Sequence, residues 1–251
     1  FPAKFIGLPL PLSAYTEINP KRGNSMSDPI REPEYALHPS PQEYIQGSPL
    51  SPDQMGFLRF FNGTTAPFPV HISLDHKPFA AALLPGFLTC YDVLEPGKRN
   101  ISLQDGTDPT ILLLQESLLF PQGGCSTVIL SDSSRTGLQL FHLRDMSPQC
   151  SKNQCCLRVF NGAMENHSLS VAQCGGSLLW EELPFGSASP YRLMEPGTAS
   201  FYTFLPNGGG PLSSLSFLFQ SGHSYTICLR GNTWLPEGIQ MAIISDGAVD
   251  T

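Results

Sequence analysis

The chain has 251 residues, room for one large or two ordinary domains, and 41% hydrophobic residues, enough for sizeable cores. Charged residues make up only 14% and the net charge is −7. This balance excludes the basic face of a nucleic-acid-binding protein and electrostatic docking on anionic membranes. No apolar run reaches the roughly 18 residues of a membrane-spanning helix. With 24 prolines and 23 glycines, the chain does not read as mostly helical.

Residues 1–55 read as a proline-rich extended arm without a core of its own, since ten of the 24 prolines fall there among dense turn formers. Within it, Leu8-Pro9-Leu10-Pro11-Leu12 places three leucines at alternate positions. In an extended strand both prolines delete donors from one edge only, so the other edge stays able to pair. Phe5, Ile6, Leu8, Leu10 and Leu12 are therefore candidates for strand addition to another subunit. Docking on the chain's own domain and disorder stay open as alternatives. A chain that starts at Phe1 is either a processed product or a fragment; in a secreted product Asn62, Asn100 and Asn166 would be glycosylation acceptors.

From residue 57 an internal repeat begins. Phe57-Leu-Arg-Phe-Phe-Asn-Gly63 answers Cys156-Leu-Arg-Val-Phe-Asn-Gly162, and Tyr91-Asp-Val-Leu-Glu-Pro-Gly97 answers Tyr191-Arg-Leu-Met-Glu-Pro-Gly197. Thr127–Leu130 answers Thr226–Leu229, and Gly137–Leu140 with Asp145 answers Gly238–Met241 with Asp246. The offset drifts only from 99 to 101. Short β-compatible runs such as Val70-His-Ile-Ser-Leu74, bounded by Pro, Gly, Asp and Asn, predict an all-β sandwich in each copy. Glu95-Pro96-Gly97 and Glu195-Pro196-Gly197 predict turns with a positive φ at glycine. The predicted organisation is an arm over 1–55, a first immunoglobulin-like sandwich over 56–146, a cysteine-containing linker over 147–155 and a second sandwich over 156–251.

The order Leu157-Arg-Val-Phe-Asn-Gly162, then Phe185–Phe204, then Ser221–Gly231 resembles the bacterial family called domain of unknown function 4397. The resemblance covers residues 57–145 and 156–246, with the second copy fitting better. It implies a secreted or surface protein built from tandem immunoglobulin-like sandwiches. The family carries no established catalytic activity, so the resemblance assigns no catalytic residue.

The seven cysteines do not repeat with the copies, and they crowd the linker as Cys150-Ser-Lys-Asn-Gln-Cys155-Cys156. Cys90, Cys125, Cys150, Cys155, Cys156 and Cys174 are disulfide candidates in an oxidising compartment, for a bond between domains or between chains. Cys228 sits in an apolar run and reads as core. The spacing lacks a clean zinc pattern. His71, Asp75 and His76 fall on different faces of a strand, and no nucleophile elbow, phosphate loop or carboxylate pair stands out. Catalytic residues, cofactor and metal are all expected to be none. The expected function is a non-enzymatic structural subunit of an extracellular filament, appendage or cell- or spore-surface layer, polymerising with itself. The alternative is a secreted adhesin or carbohydrate-binding module meeting a glycan or host surface, for which Trp180 and Trp234 would be the tryptophans.

Overall fold

The computed structural model describes residues 54–133, 137–145, 150–163, 168–176, 178–231 and 238–247. The candidate arm residues Phe5, Ile6, Leu8, Leu10 and Leu12, as well as Asn166 and Trp234, lie outside them.

Every regular element among the described residues is a strand, and the same set of eight occurs twice. The first set is β1 (Gly56–Asn62), β2 (Val70–Leu74), β3 (Lys77–Leu83), β4 (Asp92–Leu94), β5 (Gly97–Asp105), β6 (Leu112–Phe120), β7 (Cys125–Ser133) and β8 (Gly137–Asp145). The second is β9 (Cys155–Asn161), β10 (Leu169–Gln173), β11 (Leu178–Leu183), β12 (Arg192–Met194), β13 (Gly197–Phe204), β14 (Ser213–Phe219), β15 (Ser224–Gly231) and β16 (Ile239–Asp246). Each set makes two four-stranded sheets. One runs β4-β1-β7-β8 and recurs as β12-β9-β15-β16; the other runs β3-β2-β5-β6 and recurs as β11-β10-β13-β14. Even the parallel pairing of β1 with β7 recurs, as β9 with β15. The fold is all-β, with two tandem sandwiches.

Side-chain alternation places the cores. Leu58, Phe60, Val128 and Leu130 point from the first sheet onto Val70, Ile72, Ile101 and Leu103 of the second. Leu157, Val159, Ile227 and Leu229 do the same toward Val171 and Phe201. The residues between them are not solvated. Phe61 and Ile129 meet Phe160, Cys228 and Ile244 in a third buried cluster, bordered by Phe141, Leu143 and Ala242. The sheet containing β1 therefore stacks on the sheet containing β9, and the two sandwiches form four layers. This explains why β9 is buried along its whole length: both of its faces are covered.

Glycines mark where the layers approach. A Cβ on Gly162, just past β9, would lie 2.6 Å from Ser131 Oγ of the first sandwich and 3.1 Å from the Leu229 carbonyl oxygen. The two Glu-Pro-Gly turns place Gly97 at φ 121° and Gly197 at φ 129°, as the turn chemistry predicts.

Candidate functional site

Two places concentrate polar chemistry. The first lies between the sandwiches. Alternation aims Arg59 of β1 and Thr127 of β7 away from their own core. Arg59 Nε donates to Thr127 Oγ1 at 2.8 Å, and its guanidinium lies 4.2 Å from the centre of the Tyr91 ring. The Thr127 and Tyr91 hydroxyls both donate to Asp145 Oδ2 at 2.6 Å. The second sandwich repeats this arrangement. Arg158 Nε donates to Thr226 Oγ1 at 2.8 Å, Arg158 lies 4.6 Å over the Tyr191 ring, and Thr226 and Tyr191 donate to Asp246 Oδ2 at 2.5 and 2.8 Å. The remaining carboxylate oxygens cross over. Asp145 Oδ1 accepts Arg158 Nη2 at 2.8 Å, and Asp246 Oδ1 accepts Arg59 Nη2 at 3.4 Å. Each sandwich thus lends its arginine to the other's aspartate.

Two positive and two negative side chains are nearly out of water here, with Asp145 and Asp246 each 5% exposed. Burial raises the Asp246 carboxyl above its usual range, against the pull of Arg158. Burial, reinforced by the neighbouring aspartate, also raises the Tyr91 and Tyr191 hydroxyls, so both stay protonated donors. The network is closed to a substrate and its carboxylate oxygens already have partners. Its chemistry is that of a lock between domains. No carboxylate pair stands out in the sequence, yet Asp145 and Asp246 become one. The available signal was the recurrence of Arg, Tyr, Thr and Asp at offsets of 99 to 101, in or beside largely apolar strands.

The second place is a cleft of about 470 Å³ along one side of the second sandwich. It opens between β11, an edge of one sheet, and β12, an edge of the other. Leu178, Trp180, Glu181, Pro184, Pro190 and Arg192 are among its lining residues. Trp180 is 5% exposed, so its ring is mainly core, and the Arg192 guanidinium lies 5.6 Å from the ring centre. Trp180 Nε1 is buried with no hydrogen-bond partner. Leaving such a donor unpaired costs about 1–3 kcal/mol. The two copies differ here. Trp180 stands opposite Val171 where Ala80 stands opposite Ile72, and Arg192 stands opposite Leu157 where Asp92 stands opposite Leu58.

Of the cysteine candidates, Cys150 and Cys156 form a disulfide with Cα atoms 6.2 Å apart, tying the linker to β9 rather than one sandwich to the other. Cys90, Cys125, Cys155 and Cys174 are unpaired, as is Cys228. Cys155 is buried, and Cys90 and Cys174 are exposed. Burial pushes the Cys228 thiol up to about 12, which keeps it protonated and inert. Alkylation of the native protein is expected to modify Cys90 and Cys174 and to spare Cys155 and Cys228. Peptide mass spectrometry checks this; labelling of Cys228 as fast as Cys174 would contradict the burial described. The Asp75 carboxylate is held by its neighbours. It accepts from Arg99 Nη1 at 3.1 Å and from the Asn100 amide at 2.9 Å. No group of three potential metal ligands occurs among the described residues.

The structure therefore defines a tandem β-sandwich protein whose halves share a reciprocal polar core. The family model described as domain of unknown function (DUF4397) matches residues 56–172. The match covers the first sandwich and continues through β9 into β10. No curated protein matches the chain. Among solved structures, the chain is similar to the Bacillus anthracis TIE protein at 9% identity and TM-score 0.23, over 70% of this chain and 34% of that one. It spans about a third of that protein's length. It is also similar to a structure titled for alpha-glucan binding by a streptococcal virulence factor, at 12% identity and TM-score 0.26, over 74% of this chain and 97% of that one. A third, titled for alpha-glucan recognition by family 41 carbohydrate-binding modules from streptococcal virulence factors, gives 8% identity and TM-score 0.25, with coverage of 74% and 97%. Scores below 0.5 do not establish a shared overall arrangement.

Proposed function

We propose that this chain is a non-enzymatic binding protein of the cell exterior, and that the cleft between β11 and β12 takes a carbohydrate. The observation that carries this reading is the Trp180–Arg192 pair, present in the second copy and replaced by Ala80 and Asp92 in the first. The first sandwich has Ala80 and Asp92 at the matching places, so the pair is specific to the second copy. The Arg192 guanidinium is a donor on the lining of a mixed polar and apolar cleft, and sugar hydroxyls, ring oxygens and carboxylates are acceptors on an apolar ring. The closed network between the sandwiches supports a rigid carrier for such a site.

Affinity electrophoresis of the full chain in gels containing soluble starch, and in gels containing polygalacturonate, tests the reading. The native protein is expected to be retarded by at least one of them. Arg192→Asp, which restores the first copy's residue, is expected to weaken retention about tenfold, equivalent to ~1.4 kcal/mol. Unretarded migration of the native protein in both gels, or equal retention of Arg192→Asp, would overturn it.

A second reading, a self-assembling surface subunit, is favoured by the exposed leucines on the outer strands: Leu119 of β6 is 72% exposed and Leu218 of β14 is 61% exposed. Strand addition by Phe5, Ile6, Leu8, Leu10 and Leu12, and intermolecular bonds through Cys90 or Cys174, belong to that reading.

A further inference from the structure

Among the described residues eight strands are sheet edges: β4 and β8, β3 and β6, β12 and β16, β11 and β14. A free edge presents a row of unpaired amides and carbonyls. Proteins guard such rows with charge, proline or bulges. Most of these edges are guarded. β3 carries Lys77 and Pro78 and is bulged against β2. β11 carries Glu181 and Glu182 and is bulged against β10. β4 carries Asp92, β12 carries Arg192, and β8 carries the exposed Arg144. β6 carries Glu116, which stands opposite the fully buried Ile101 and so is a charge on the core-facing side of an edge strand.

One side of the second sandwich lacks all of these devices. β14 reads Ser213-Ser-Leu-Ser-Phe-Leu-Phe219, with no charge, no proline and an unbroken register against β13. Leu215 stands opposite Phe201 where Glu116 stands opposite Ile101. Next to β14, β16 has Asp246 as its only charged residue, and that carboxylate is consumed in the network between the sandwiches. Leu218 stands 61% exposed on β14, and no described strand pairs with its outer edge.

We propose that β14 is a self-association edge, on which two copies of this chain pair antiparallel about a twofold axis into a continuous eight-stranded sheet. The absence of charge along β14 fits a second copy as the occupant. In an antiparallel pair about a twofold axis the central residue sits beside its own image, so a charge there would repel itself. β14 is the outer-sheet edge without one. Full overlap of the seven-residue strand puts Ser216 at the centre, beside its equivalent. Ser216 is exposed and hydrogen-bonds Ser200 Oγ at 2.6 Å, so it can be changed without touching the core.

Sedimentation velocity of the full chain under reducing conditions, across micromolar concentrations, tests this. The native protein is expected to sediment as a dimer. Ser216→Lys and Ser216→Glu are each expected to raise the dissociation constant at least tenfold, and an equal mixture of the two is expected to recover the dimer. Ser117→Lys on β6, the matching place in the first copy, is expected to sediment as the native protein does. Far-ultraviolet circular dichroism confirms that each variant retains its sheets. A native monomer would overturn the proposal, as would undiminished association of Ser216→Lys, a mixture that stays monomeric, or dissociation by Ser117→Lys instead.

Discussion

Arg158→Ala is expected to destabilise the protein by about 3–5 kcal/mol, because it strands a buried carboxylate rather than merely removing a contact. Asp145 Oδ1 accepts Arg158 Nη2 at 2.8 Å, and the two side chains are 0% and 7% exposed. Without the guanidinium, Asp145 and Asp246 would share a dry interface with Arg59 alone, which sits 3.8 Å from one and 3.4 Å from the other. Thr226 Oγ1 would also lose the donor it accepts. For a protein of this size the fall in Tm is roughly 6–20 °C. Thermal denaturation of Arg158→Ala, Asp145→Ala and the double variant checks it. The double variant is expected to lose less than the sum of the two singles, because it leaves no stranded charge. Additive losses would show that the pair does not act as a unit.

Phe160→Ala is expected to cost a further class of contact, at about 3–5 kcal/mol. Phe160 is fully buried between the sandwiches, and its ring centre lies 5.3 Å from that of Phe141 across the interface. The neighbouring shell holds Phe61, Ile129, Cys228 and Ile244, none of which can refill the space without moving a strand of the central sheets. Urea denaturation measures the loss. Hydrogen exchange locates it, with faster exchange expected first in β9 and β15. A loss below about 1 kcal/mol would mean that the interface collapses onto the gap.

Much of this architecture was legible in the sequence because it depends on local chemistry repeated at a fixed offset. Val70-His-Ile-Ser-Leu74 alternates as a one-sided strand should, and Glu-Pro-Gly sets its turn unaided. What was not legible is what covers the second face. Arg59 and Phe61 on one strand look like ordinary outward residues, and only the stacking of β1 on β9 makes them core. The strength of the repeat hid this, because the same signal that separates two copies says nothing of whether they touch. The Trp180 ring is packed in the core of the second sandwich. Its unpaired nitrogen and the nearby Arg192 emerge only when β11 and β12, fourteen chain positions apart from Leu178 to Arg192, become facing edges of one cleft. The cysteines misdirect for the opposite reason. Their crowding near residue 150 suggests a clamp between domains or between chains, and the bond within this chain joins the linker to β9 rather than one sandwich to the other.

The junction itself has a consequence for how tightly the halves must bind. Only nine positions, 146–154, separate the end of β8 from the start of β9. A tether that short holds each sandwich at an effective concentration of order millimolar around the other. An interface that would give a free pair of sandwiches a dissociation constant of about a micromolar would then be closed roughly 99.9% of the time. Substitutions at Arg59 or Phe61 can therefore weaken the intrinsic affinity of the halves a hundredfold and still leave most molecules shut.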